Sequence, residues 1–284
     1  MYDVAIIGTG PAGLSAAITL KLHEKSILWF GSKQMSAKVE KSEKIANYPG
    51  AGLITGAELN ERFQKHAVQM GLEPIDRMVT TVMRMQEHFS LLADNELYEA
   101  KTLLLTTGVV SAKGIPGETV FLGRGVSYCA TCDGFLYKGK TIAVICASKR
   151  YEHEVQYLAQ LAQKVYLFST YKDIGSMPGN VEVISSIREI TGSRKVERII
   201  LTNKDEIEVS GVFCLRNAVA PSTLMPGLAL DGPHIIVNRN QETSVIGCYA
   251  AGDCTGRPYQ LTKAVGEGNV AAHAILDYLS SGQS

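Results

Sequence analysis

The chain has 284 residues, 45% of them hydrophobic, which is enough for one or two domains with sizeable cores. Its 28 basic and 28 acidic residues cancel, and no run approaches the roughly 18 apolar residues of a membrane helix, so neither nucleic acid nor membrane is indicated as a partner. The start, Met1-Tyr2-Asp3, runs into a strand with no basic n-region, which reads as cytoplasmic and reducing, a setting where closely spaced cysteines react rather than staple.

The first elements read as a βαβ unit: strand Asp3–Ile7, turn Gly8-Thr9-Gly10-Pro11-Ala12-Gly13, helix Leu14–His23, strand Ser26–Phe30. Gly8 makes the tight turn, Gly10 lets backbone approach a pyrophosphate, and Gly13 lets helix pack on strand. The helix N-terminus then offers free N–H groups to the anion. The second strand, Leu28-Trp29-Phe30-Gly31, lacks the acidic residue expected for an adenosine ribose, so the dinucleotide holds without that contact or another group makes it. Further on, Leu103-Leu104-Leu105-Thr106-Thr107-Gly108 is a buried strand closing on a glycine turn.

Gly114-Ile115-Pro116-Gly117 and Leu230-Asp231-Gly232-Pro233 combine the residues that mark linkers, and the piece between them reads as an insert. It opens with Cys129-Ala130-Thr131-Cys132-Asp133-Gly134. Two cysteines separated by two residues have redox dithiol spacing; a half zinc site is the alternative, but no second such pair or His pair accompanies it, and no metal is expected. Asp133 is placed to supply the proton a leaving thiolate needs, although Asp-Gly is also a turn pair. Cys146, Cys214 and Cys248 lie in apolar strands and read as small core residues, while Cys254 follows an aspartate. The insert continues with strand 141–146, helix 152–163, strand 164–169, strands near 181–184 and 196–201, and strand 211–215, a second doubly wound unit with an antiparallel hairpin.

The chain closes with strand Gly247–Ala251, Gly252-Asp253, and a helix beginning near Gln260-Leu261. An aspartate at that strand end can accept hydrogen bonds from a ribityl chain, and the helix N-terminus suits the electron-rich edge of a flavin, which favours FAD over NAD. The expected fold class is therefore α/β, with two doubly wound Rossmann-like domains. An FAD domain (1–116 and 232–284) is split by an inserted, degenerate nucleotide-binding domain (117–231) that carries the dithiol.

GTGPAG at 8–13, Ala46-Asn47-Tyr48-Pro49-Gly50, the Thr106-Thr107-Gly108 strand end, GRGVSYCATCDG at 123–134 and the AAGDCTG run resemble the low-molecular-weight flavin thioredoxin reductases over nearly the whole chain. The resemblance implies that Cys132 faces the flavin, that Cys129 exchanges with thioredoxin, and that Asp133 handles protons. It also implies that Asn47, Thr107, Asp253 and the turn at Gln260 touch FAD, and that the protein is a homodimer.

One part departs from that family. Where NADPH-using members place a glycine-rich turn after strand 141–146, this chain has Cys146-Ala147-Ser148-Lys149-Arg150-Tyr151. Cys146 and Ser148 obstruct backbone approach to a pyrophosphate, and Tyr151 is expected to hold helix from strand. Ser169-Thr170-Tyr171 stands where arginines would grip a 2′-phosphate, and Arg216-Asn217-Ala218-Val219-Ala220-Pro221 replaces a glycine-proline loop under the nicotinamide. Electrons then come from elsewhere, and the chain is most similar to the ferredoxin-dependent branch of the family. A plant-type iron–sulfur carrier near about −400 mV can drive thioredoxin at about −270 mV, a drop worth roughly 6 kcal/mol for two electrons. Its acidic surface needs a basic dock, for which Lys33, Lys38, Lys41 and Lys44, or Lys138, Lys140, Lys149 and Arg150, are candidates among the interspersed Glu40, Glu43, Glu152 and Glu154. The rivals are a dithiol oxidase passing electrons to oxygen, NADPH use through an altered pocket, and a non-catalytic redox sensor.

Overall fold

Residues 1–94, 96–109, 115–118, 120–128, 130–215 and 220–282 are described by the computed structural model of the chain. It divides into two compact units, Met1–Ser111 with Ala220–Ser284, and Ala112–Val219.

In the first unit, β1 (Tyr2–Ile7) leads through the glycine turn into α1 (Pro11–Leu22), and β2 (Ile27–Phe30) returns parallel to β1. Next come α2 (Ala37–Glu40) and α3 (Gly56–Gln69), the latter started by a capping box in which Thr55 and Glu58 bond each other's backbone N–H. β3 (Val79–Arg84), β4 (Phe89–Ala93) and the long β5 (Glu96–Leu105) follow as an antiparallel meander, giving the order β2-β1-β5-β4-β3. The sequence reading contained only the last third of β5 and neither β3 nor β4.

The second unit opens with the short β6 (Val126–Ser127) and α4 (Ala130–Asp133). β7 (Thr141–Cys146), α5 (Glu152–Leu161), β8 (Lys164–Ser169) and β9 (Val181–Val183) come next. β10 (Ile187–Gly192), β11 (Val196–Leu201) and β12 (Glu206–Glu208) make a separate antiparallel sheet, and β13 (Gly211–Leu215) returns to the first one. The main sheet, β6-β13-β7-β8-β9, is parallel throughout. The central strands β7 and β13 are apolar on both sides because both faces are covered there. Val144, Cys146, Phe213 and Leu215 pack against α5, while Ala143, Ile145, Val212 and Cys214 pack against the antiparallel sheet.

The chain then returns to the first unit through α6 (Pro221–Leu224) and the two-residue strands β14 (Leu230–Asp231) and β15 (His234–Ile235). β16 (Cys248–Ala250) joins β5 in parallel, and α7 (Leu261–Ser280) lies on α1. The two helices meet closely: a Cβ on Gly268 would stand 2.2 Å from the Ala12 carbonyl oxygen. The units divide at 111/112 and 219/220, whereas the glycine-proline signals set the edges at 116/117 and 231/232. Residues 115–117 belong with the insert because Ile190 N–H donates to the Pro116 carbonyl (2.8 Å). Residues 220–235 belong with the outer unit, where Met225 Sδ meets Cys248 Sγ at 3.9 Å and His234 Nε2 bonds the Tyr259 hydroxyl at 2.6 Å.

Candidate active site

Register places three chain segments at one edge of the first unit. Ile7 is level with Leu105, and Leu105 with Ala250, so the glycine turn, Thr106-Thr107-Gly108 and Ala251-Gly252-Asp253 all leave the sheet together. Carboxyl ends of parallel strands are where doubly wound sheets bind ligands.

The glycines divide as their spacing implies. A Cβ on Gly8 (φ 122°) would lie 2.2 Å from the Thr106 carbonyl oxygen, and one on Gly13 would lie 2.1 Å from that of Gly8. At Gly10 a Cβ would meet nothing within 4 Å. Pro11 and Ala12 start α1, and no side chain caps its N-terminus, where the first N–H groups of a helix lack intrahelical acceptors. Thr107 Oγ1 is buried with no protein partner, and Gly108 (φ 69°) borders open space. An uncapped helix start, an empty cradle at Gly10 and an orphaned hydroxyl fit the diphosphate and polyol of FAD. Trp29, which the motif reading passed over, fixes the turn by donating Nε1–H to the Gly8 carbonyl at 2.9 Å. No acid ends β2, but Lys33 there holds Glu73 at 2.5 Å, bringing a carboxylate from another segment to that strand end.

The opposite wall is built on α7. Its N-terminus at Gln260-Leu261 also lacks a side-chain cap, because the Gln260 amide oxygen accepts from Asn47 Nδ2 instead (2.9 Å). Asp253 Oδ2 is paired with Lys38 Nζ at 2.6 Å. Beneath this loop lies a clamp that sequence motifs did not reveal. Lys263 Nζ donates to the carbonyls of Gly252 (2.7 Å) and Gly256 (2.8 Å), while Glu267 accepts from Gly252 N–H and the Thr255 hydroxyl, both at 2.9 Å. The available signal was a lysine in the first turn of a helix, against the dipole, four residues before a glutamate.

The dithiol segment belongs to the second unit. Cys129 lies outside the described residues, and Cys132 is the third residue of α4. β6 pairs Val126 with Val212 and Ser127 with Phe213, which anchors the segment before the cysteines. Ala130 is fully buried in the core under α5, and a Cβ on Gly134 would press on Leu158 at 3.0 Å. Asp133 is half-buried, and burial, with the Asp133 charge second, pushes the Tyr137 hydroxyl upward in pKa.

In the same unit Cys146, Ser169 and Leu215 end their strands side by side, repeating the geometry of the first site. The turn there differs from the glycine turn of the first unit. Lys149–Tyr151 make a short 3₁₀ turn, α5 begins only at Glu152, and the Tyr151 ring is absorbed into the apolar core. Tyr151 lies in the core cluster that contains residues of both α5 and β7. The Glu152 carboxylate, in the first turn of α5, accepts from the Gly175 N–H (3.0 Å) and the Tyr171 hydroxyl (2.8 Å). Those bonds, the Gly175 one first, hold Glu152 below the usual carboxylate range. Burial and the bond to Glu152 push Tyr171 upward. Cys146 Sγ donates to the Ser148 carbonyl at 3.3 Å. Arg216 to Val219 lie outside the described residues.

The remaining cysteines are buried, and burial pushes Cys248 and Cys254 each up to about 12, so both are inert thiols. Among the described residues no group of three metal-ligating side chains forms, and no helix is long and apolar enough to cross a membrane. Of the candidate docking lysines on the first unit, Lys41 and Lys44 are exposed, whereas Lys33 and Lys38 are engaged by carboxylates.

The profile of the pyridine nucleotide-disulphide oxidoreductase family matches residues 2–174 and 179–268. A thioredoxin reductase of Treponema pallidum is 31% identical over 100% of this chain and 99% of its own. A ferredoxin-flavin thioredoxin reductase from Clostridium acetobutylicum superposes with a TM-score of 0.94 at 41% identity, covering 99% of this chain and 98% of its own. A second such structure from the same organism gives 0.88 at 46% identity with the same coverage.

Proposed function

We propose, given that the chain belongs to the pyridine nucleotide-disulphide oxidoreductase family and is an FAD-dependent thioredoxin-disulfide reductase, that its electrons come from reduced ferredoxin and not from NADPH. The observation that carries the reading is the Glu152 carboxylate, seated where a dinucleotide domain offers its helix N-terminus to phosphate. A fixed negative charge at that position repels a pyrophosphate. Cys146 and Ser148 narrow the turn, and Ser169-Thr170-Tyr171 supplies no guanidinium for a 2′-phosphate. The similarity to ferredoxin-flavin reductases at 41 and 46% identity supports the same donor.

FAD, when bound, supplies the means to join one-electron delivery to two-electron reduction of a disulfide. The turn at Gly10, shaped by the close packing at Gly8 and Gly13, and the start of α1 would hold its diphosphate, while Thr107, Asp253, Asn47 and the start of α7 would orient the rest. Cys132 is the sulfur on the cofactor side. Cys129, as thiolate, attacks the thioredoxin disulfide; the mixed disulfide resolves when Cys132 attacks Cys129, and thioredoxin leaves with both electrons. Asp133 relays a proton from the attacking thiol to the departing thiolate. The reading includes a homodimer, as the sequence resemblance implies, and a cytoplasmic setting.

The test is anaerobic: the yellow holoenzyme is mixed with NADPH, then with reduced ferredoxin, and the flavin band and thioredoxin thiols are followed. Bleaching by ferredoxin alone, with thiols appearing afterwards, is expected. Rapid bleaching by micromolar NADPH overturns the assignment, and reduction by neither donor with fast oxidation of small dithiols by oxygen makes the protein an oxidase.

A further inference from the structure

We propose that Lys38 is a positioning residue for FAD, acting through Asp253. Lys38 lies in α2, a single turn pinned from below by buried Val39 and at its start by Ser36, whose hydroxyl accepts from Val39 N–H. From that exposed face Nζ crosses to Asp253 Oδ2 at 2.6 Å, joining segments 215 residues apart. The ammonium also lies 5.1 Å from the centroid of the Tyr259 ring, which His234 holds through the tyrosine hydroxyl. The lysine side chain is 70% exposed and the carboxylate 15%. Among the described residues no other side chain bonds the Asp253 carboxylate, so Oδ1 is left for a ligand while Oδ2 is anchored.

Charge makes the anchor necessary. The diphosphate of a dinucleotide brings two negative charges to this edge, and the glycine turn that receives it contains no cation. Nearby, Glu267 is matched by Lys263 at 3.1 Å, and among the described residues Asp253 is matched only by Lys38. Without Lys38 an uncompensated, freely rotating carboxylate would face an anionic cofactor. This role differs from a donor dock, for which Lys38 was a sequence candidate.

The inference rests on Asp253 being an FAD contact, and the experiment separates the two. Holoenzyme is diluted in series and released flavin is read by fluorescence, for the native protein, Lys38→Gln, Lys38→Arg, Asp253→Asn and the Lys38→Gln/Asp253→Asn double variant. Lys38→Gln should raise the FAD dissociation constant about fivefold, the scale of a half-exposed ion pair. The difference should shrink in about 0.5 M salt. Lys38→Arg should recover most of the affinity, and Lys38→Gln should have little effect once Asp253 is Asn. An unchanged constant in Lys38→Gln, or an undiminished effect in the Asn background, overturns the proposal. An unchanged constant in Asp253→Asn removes the FAD contact itself, and this inference with it.

Discussion

Gly10 and Gly13 sit three residues apart in one turn, and the structure gives them opposite failure modes. A methyl group at Gly13 would stand 2.1 Å from the Gly8 carbonyl oxygen, where real contacts stay above 3.0 Å, so α1 must lift by 3.0 − 2.1 = 0.9 Å. Overpacking of that kind costs about 1–3 kcal/mol, which in a protein of this size lowers the melting temperature by roughly 2–12 °C. At Gly10 the same methyl meets nothing, and its φ of −72° suits any residue. Gly10→Leu should therefore melt within about 2 °C of the native protein when both are stripped of FAD, losing only a fraction of a cap interaction. With cofactor the order reverses: Gly10→Leu should be purified nearly colourless, and Gly13→Ala should keep much of its flavin. The assay is a thermal melt by circular dichroism beside the ratio of flavin to protein absorbance. A Gly10→Leu protein as yellow as the native one would refute the placement of the diphosphate, and a Gly13→Ala protein of native stability would refute the packing argument.

Two further predictions concern the second unit. Cys129→Ser should leave Cys132 as a thiolate beside oxidised flavin and produce a long-wavelength charge-transfer band that Cys132→Ser lacks, with thioredoxin reduction lost in both; a band only in Cys132→Ser would reverse the two roles. The depressed Glu152 pKa contributes stability that is complete above the unfolded value of about 4.3 and is lost as pH falls through the lower folded value. Glu152→Gln should flatten the acid limb of the melting profile below about pH 4.5, and an unaltered limb would show that its bonds to Gly175 and Tyr171 do not stabilise the fold.

The motif-bearing elements were legible because they combine apolar strands with glycines whose spacing has a physical reason: β1, β7, β8 and β13 fall within a residue of their expected limits. The β3–β4 hairpin was not, since Val79–Arg84 alternates incompletely and Arg84 interrupts its end. The clamp of Lys263 and Glu267 was invisible for another reason. Its partners are backbone groups of residues 252–256, which sequence spacing does not bring together. Lys38 shows the same limit: charge suggested a docking surface, and only the fold brings it to Asp253. At Cys146 the missing glycines were legible in the sequence, but not the Glu152 carboxylate that accepts from Gly175 and Tyr171 nearby.

That carboxylate changes the thermodynamic standing of the inserted unit. A nucleotide-binding domain is stabilised by mass action in proportion to the free coenzyme around it, and it softens when the pool is drained. Here the anion at the start of α5 is covalently part of the helix, so its effective concentration is fixed and no pool can dilute it. On the donor assignment proposed above, the second unit is thereby insulated from the cell's nicotinamide balance.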